Sequence, residues 1–417
     1  MRKATLTFTS ALIAVTLLIG VSGCNKDGDD AFEIVSLEAG NVDLNTDTPA
    51  VNVQAEDAIT ATFSVDIDAA TVSAAVIKLV RDYDGSDAAL TLTTAGKTIT
   101  ITPNDLMGYG TKYKLNFLAG IKAIDGQDLE AVEKTFTTIG TFVPAGMVAY
   151  WNFNDDPKEQ VLGAMPSGLV AIDYTDSYKA AAGKAASFNG TTSILEYANT
   201  DYLVNTTDFT LSFWVSAESA NHGSRGHYVM GLGAFFGFAF EISGDYTWCK
   251  MAAQYEFENG TSGSEDLWFP GDGVTGANGG WQGWTYCRDL RGSGGVPALL
   301  KDKWASVVCV YNSETREGIM YINGEKMKAF DFDLWTEGDI KRTVKGLTYG
   351  GNTPTVVDEL AFGFLQSRAG TLWDGETWGG YDFTEANHFE GKLDDVRIFH
   401  TALTEQEVGM MYNAEKP

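Results

Sequence analysis

Apolar and polar side chains alternate with period two in short runs along this chain, and no other feature restricts its fold as tightly. Ile59-Thr-Ala-Thr-Phe-Ser64, Thr98-Ile-Thr-Ile-Thr102 and Lys112-Tyr-Lys-Leu-Asn-Phe117 each carry the pattern. Successive strand side chains point to opposite sides, so each run predicts a strand with one buried face. Pro103 ends the second run, Asp125-Gly126 marks a turn, and Lys134-Thr-Phe-Thr-Thr138 closes the unit. A stretch of about a hundred residues with strands at this spacing is a small β-sandwich.

A second, longer β unit begins at Met147 with Val148-Ala-Tyr-Trp-Asn-Phe153. It continues through Ala186-Ser-Phe-Asn-Gly190, Phe209-Thr-Leu-Ser-Phe-Trp-Val215, Trp304-Ala-Ser-Val-Val-Cys-Val-Tyr311 and Gly318-Ile-Met-Tyr-Ile-Asn-Gly-Glu325. It ends with Phe389-Glu-Gly-Lys-Leu-Asp-Asp-Val-Arg-Ile-Phe399 and a short helix, for which Thr404 and Glu407 form a capping box. The predicted domains are 32–140 and 146–417, with a linker over 139–146, and the stretch 223–300 reads as irregular. Aromatic content of 12%, 46 glycines and only 20% charged residues suit this all-β expectation.

The first residues are a different kind of segment. Arg2 and Lys3 precede an apolar run from Ala11 to Gly20, then Val21-Ser22-Gly23-Cys24. The run falls short of the roughly 20 residues that span a bilayer, but suits a secretory signal over 1–23. The residues around Cys24 resemble a lipobox, which implies lipidation of Cys24 and an outer-membrane, cell-surface location. The alternative is an ordinary cleavage site beside an incidental cysteine. An acidic tether over 24–31 follows. The net charge of −27 opposes nucleic acid and sulfated glycans as partners and favours a neutral ligand.

Two family resemblances extend these expectations. Residues 32–140 resemble bacterial Ig-like domains through Phe63-Ser64, Asp68 to Val72, Thr98 to Pro103, Tyr109 to Tyr113, Gly120-Ile121, Asp125-Gly126 and Phe136-Thr137. Such domains act as spacers. Residues 146–417 resemble the laminin-G/concanavalin-A-like family in the order and spacing of the strands quoted above. That resemblance implies a jelly-roll sandwich, often with a concave sheet, and a role in glycan handling or protein adhesion.

Candidate chemistry falls into three groups. In the last strand, Asp394, Val396 and Ile398 are expected to share the core face, leaving an inward carboxylate that needs a partner. Calcium suits an extracellular sandwich, and the resemblance implies a structural ion at Asp394; Asn154, Asp155 and Asn189 are further oxygen donors that the family pattern does not fix, and the alternative is that Asp394 pairs with Arg or backbone N–H groups without an ion. Second, seven of the ten tryptophans fall in Gly-rich stretches. Trp248, Trp281 and Trp284 are the expected sugar-stacking platform, with Asp245, Gln254, Asp272, Asn278 and Gln282 available for hydroxyls; a satellite apolar cluster is the alternative. Third, no Glu-x-Asp-x-x-Glu string, His-Glu-x-x-His string or nucleophile elbow is present. Glu256 and Glu258 share a strand face without the intervening Asp. Cys309 is expected to be a packed thiol, while Cys249 and Cys287 could pair. The expectation is a non-catalytic module that binds a poly- or oligosaccharide. An adhesion module for other envelope proteins and a glycoside hydrolase are the rivals.

Overall fold

A computed structural model describes residues 31–220, 222–271 and 283–417, so Cys24 and Trp281 lie outside the described residues. The chain forms a small Ig-like sandwich followed by a second, larger β-sandwich, both all-β apart from short helical turns and one C-terminal helix. No described helix is long and apolar enough to cross a membrane.

In the small domain one sheet runs Val42–Asp43, Ile34–Ala39, Ile59–Phe63, Thr98–Pro103, Leu90–Ala95. The other runs Ala50–Val53, Val132–Thr138, Lys112–Phe117, Ile77–Arg81. The alternation predicts the core directly: Ile59, Ala61, Phe63, Ile99, Ile101, Leu115 and Phe117 are all buried between the sheets. The joining segment is not a loose linker. Tyr109 and Val143 exchange backbone hydrogen bonds of 2.9 and 3.1 Å, and Val143 packs with Met147, Val408 and Met411 of the large domain.

The large domain has two facing sheets. The front sheet orders Asp173–Asp176, Lys184–Asn189, Glu390–Phe399, Phe209–Ala217, Trp304–Asn312, Glu317–Ile322, Glu325–Asp331 and Trp284–Cys287, and Met147–Trp151 adds beside Glu390–Phe399. The back sheet orders Gly168–Val170, Ile194–Tyr197, Leu360–Phe362, His227–Leu232, Phe238–Ile242, Cys249–Phe257 and Ser262–Phe269, with Val344–Leu347 on Cys249–Phe257. The stretch expected to be irregular therefore supplies much of the back sheet. Leu211, Phe213, Phe240, Met251 and Tyr255 lie in the core between the sheets.

The last strand contains a β-bulge that corrects its expected facing. Trp214 pairs with Asp394 and Ser212 with Arg397, so two residues oppose the single Phe213. Asp395 takes up the extra length with φ of 48°. Cross-strand partners share a face, so Asp394 lies with Trp214 on the outer side, not inward with Val396 and Ile398. A buried polar network covers that side. Arg397 sits between Asp395 at 2.9 Å and Glu415 at 2.7 Å. Tyr150 and Tyr178 donate to Asp395 at 2.6 and 2.5 Å, and the Trp214 indole donates to Glu415 at 2.9 Å. The C-terminal helix Glu405–Glu415 closes over this network, its start fixed by the expected capping box of Thr404 and Glu407.

Cys249, Cys287 and Cys309 are buried free thiols, so Cys249 and Cys287 are not bridged. The Cys249 thiol lies 3.7 Å from the sulfur of Met320, and Cys287 donates to the Pro270 carbonyl.

Candidate functional site

The tryptophan platform is not assembled as expected. Trp284 is 3% exposed and belongs to the core, with Gly271 packed against its ring and the Lys328 ammonium 3.3 Å from its ring centroid. Trp248 is half-buried and meets Trp268 edge-on at 6.1 Å. Of the nearby polar residues, Asp245 is spent on Ser243 and Thr247, and Gln254 on Ser262. Asp272, Asn278, Trp281 and Gln282 lie outside the described residues.

Three of the four residues expected to hold calcium are engaged elsewhere, and the fourth stands apart at the surface. Asp394 accepts from the Ser177 hydroxyl and, at 2.7 Å, from the amide of Asp395. Burial, and then the neighbouring Asp395 charge, raise its carboxyl far above the usual carboxylate range, which favours the proton over a cation. Asn189 turns its oxygen to the amides of Thr191, Thr192 and Ser193, and Asn154 to the amide of Lys184. Asp155 is exposed at a positive φ of 57°. No group of three or more His, Cys, Asp or Glu among the described residues is placed to hold a metal. This donor set does not fit calcium.

A different site is built on the outer face of the back sheet. Alternation puts Leu360 and Phe362 into the core and Ala361 outward. Over Ala361, Ile194 and Tyr228 lies a long loop, 363–389, whose Phe364, Leu365 and Ala386 form an apolar cluster with them. Trp373 and Trp378, with ring centroids 4.9 Å apart, pack against the same cluster. These two belong to the set of Gly-rich-segment tryptophans seen in the sequence, but they anchor the loop.

Specific polar contacts hold the loop in shape. Arg368 meets buried Glu196 through its backbone amide at 2.6 Å and through its guanidinium at 2.5 to 3.2 Å. Gly168 makes room for this pair, because a Cβ there would fall 2.0 Å from a Glu196 oxygen. The Tyr381 hydroxyl donates to the Thr192 carbonyl at 2.6 Å. Arg225 reaches the carbonyls of Thr384 and Ala386. Beneath the loop, His222 and His227 stack at 3.8 Å, His222 contacts the carbonyl of His388, and His388 contacts that of Tyr381. Burial lowers the affinity of all three imidazoles for protons.

Between the loop's two limbs lies a cleft of about 340 Å³, walled by Arg368, Asp374, Tyr381, Asp382 and Phe383, with Gln366 and Gly370 at one side. Gln366 is 4% exposed; its amide nitrogen faces the Gly370 carbonyl at 3.4 Å, and its oxygen accepts no hydrogen bond. A buried acceptor left open costs free energy, on the order of 1–3 kcal/mol, that a ligand donor can recover. Phe383 is 39% exposed at the rim. The arrangement combines acceptors, one charge-balanced guanidinium and aromatic edges in a concave site, which suits a small polyhydroxylated ligand. Sequence reasoning missed Gln366 and Arg368, because nothing local distinguishes them from ordinary loop residues.

Elsewhere on the back sheet, Glu241 and Asp266 both contact the Lys250 ammonium at 3.0 Å, so their charges are compensated. Glu256 pairs with Lys345 at 3.1 Å.

Residues 42–138 match the family model described as bacterial Ig-like domain. No curated protein matches the chain. Among solved structures, the botulinum neurotoxin type G receptor binding domain is 12% identical, with 64% of this chain and 51% of that chain covered and a TM-score of 0.37. The binding domain of Paraclostridial Mosquitocidal Protein 1 is 14% identical, covering 64% and 52%, with a TM-score of 0.39. The botulinum neurotoxin serotype D ligand binding domain, solved in complex with N-acetylneuraminic acid, is 12% identical, covering 65% and 51%, with a TM-score of 0.39. The chain spans about half the length of these solved chains. Such values mark them as distant in both shape and sequence.

Proposed function

We propose that the larger sandwich captures carbohydrate without catalysis, at the cleft in the loop over its back sheet. The observation that carries this reading is a concave cleft that sets Asp374, Asp382 and the unpartnered oxygen of buried Gln366 beside an aromatic rim. A sugar hydroxyl satisfies such an acceptor, and ring edges cover the apolar faces of the sugar. Asp374 and Asp382 are both exposed, whereas acid–base cleavage of a glycosidic bond needs one carboxyl held protonated by its surroundings. That supports binding over hydrolysis.

On the same proposal, Cys24 carries lipid, the chain is anchored at the outer membrane, and the Ig-like domain lifts the sandwich from the surface. A single lipid-modified terminus supplies attachment without a spanning helix.

The test is retention of the folded chain in affinity gels that contain a panel of polysaccharides. At least one gel should retard it, and Gly370→Ala and Phe383→Ala should abolish the retardation while leaving the melting temperature unchanged. If no polysaccharide retards the chain, or both variants bind like the parent, the cleft is not a carbohydrate site. Labelling of Cys24 by a fatty-acid analogue, lost in Cys24→Ala, tests the anchor.

A further inference from the structure

We infer that the cleft selects sugars bearing a protonated amine over neutral and acidic ones; this deepens the carbohydrate reading and rests on it. The groups on its walls are unbalanced. Arg368 is the only cation among the lining residues, and its guanidinium is already matched by the Glu196 carboxylate. Asp374 and Asp382 also line the cleft, and among the described residues neither is matched by an ion pair. With Arg368 balanced by Glu196, the walls carry two uncompensated negative charges.

The hydrogen-bonding capacity leans the same way. Gln366 presents its oxygen, since its nitrogen is turned to the Gly370 carbonyl. Carboxylates accept and do not donate when ionised. A ligand rich in donors therefore fits, and an ammonium offers three donors with a positive charge. A uronate or sialate would bring a third negative charge to a site whose one guanidinium is already engaged, on a chain of net charge −27. An N-acetyl group would replace the ammonium by a neutral amide with a single N–H.

Gly370 supplies a control for location. A Cβ there would lie 3.6 Å from the open Gln366 oxygen and 3.4 Å from the Thr355 carbonyl, which is ordinary contact. Gly370→Ala therefore narrows the cleft beside the acceptor without straining the loop.

The experiment is calorimetric titration of the full chain, at mildly acidic pH, with oligosaccharides of glucosamine, N-acetylglucosamine and glucuronate of equal length. The glucosamine oligomer should bind about tenfold or more tighter than the others. Its advantage should shrink to about twofold in the Asp374→Asn, Asp382→Asn double variant and at high salt, where charge interactions are screened. Gly370→Ala should weaken every ligand.

Equal or tighter binding of the acetylated or acidic oligomer, still sensitive to Gly370→Ala, overturns the amine preference and leaves the carbohydrate reading standing. Glucosamine binding abolished by a chelator also overturns it, since the carboxylates would then be serving a metal. No binding by any of these oligomers, alongside a positive polysaccharide gel, overturns the amine preference alone. No binding in either assay removes both.

Discussion

The phenol of Tyr83 in the Ig-like domain donates a 2.6 Å hydrogen bond to Glu407, the same residue whose other carboxylate oxygen closes the capping box on Thr404. Arg81 approaches the same carboxylate at 3.4 Å, and Tyr83 meets Phe142 edge-on. One side chain thus caps the C-terminal helix and fastens the two domains.

Glu407→Ala should release the clasp and weaken the cap. The Thr404 hydroxyl still accepts from the backbone amide at 407, so only the reciprocal half of the capping box is lost, together with the charge-assisted bond to Tyr83 at ~1.5–3 kcal/mol. Calorimetry of the parent should show coupled unfolding of the two domains, and the variant should separate it into two transitions. Tyr83→Phe should show the domain-separating effect alone, with the helix cap intact.

Trp284→Ala should cost about 3–5 kcal/mol, the usual penalty for a buried aromatic, because the ring lies in the core under Gly271 and Lys328. Trp248→Ala should cost much less, since its ring is half-exposed and only edge-packed. Chemical denaturation of both variants measures the contrast. Equal costs would contradict the burial described for these residues.

Below pH ~6.5 the unfolded chain binds protons at its histidines, while burial keeps His227 neutral down to about 3. His222 and His388 are lowered in the same sense, and neighbouring Arg225 adds repulsion to each. The unfolded state then holds more protons, so stability falls as pH drops from 6.5 towards 3. The slope is up to about 1.4 kcal/mol per pH unit for each histidine. Melting temperatures across this range should decline less steeply for His227→Gln.

Asp394 titrates in the opposite direction. Its folded pKa is raised to about 8, first by burial and then by Asp395. Between the unfolded value near 3.8 and 8, the folded state holds the extra proton, and stability is lost as pH rises. Asp394→Asn should remove that loss while leaving the acid side unchanged. Neither calcium nor EDTA should shift the melting temperature, because Asp394, Asn154 and Asn189 are bonded within the protein and Asp155 is left alone at the surface.

How far the sequence could be read depended on which faces a strand buries. In the Ig-like domain each strand has one core face, so Thr98–Pro103 and Lys112–Phe117 are visible as alternation, with ends within a residue of those expected. His227–Leu232 is buried on both faces, by the core and by the overlying loop, so it has no alternation to read. For that reason its segment looked irregular. The facing of Asp394 was illegible because period-two reasoning assumes an unbroken ladder, and the extra residue at Asp395 inverts the parity of everything before it. The cleft depends on Arg368 meeting Glu196 and on Gln366 meeting Gly370 across a folded loop. The first of those contacts spans 172 positions of sequence.

The packed junction at Tyr109 and Val143 has a mechanical consequence. A sandwich on a slack joint would sweep its binding face through a wide cone above whatever surface it is tied to. Here the two bodies share an apolar seam and a side-chain clasp, so the small domain dictates the compass bearing of the cleft.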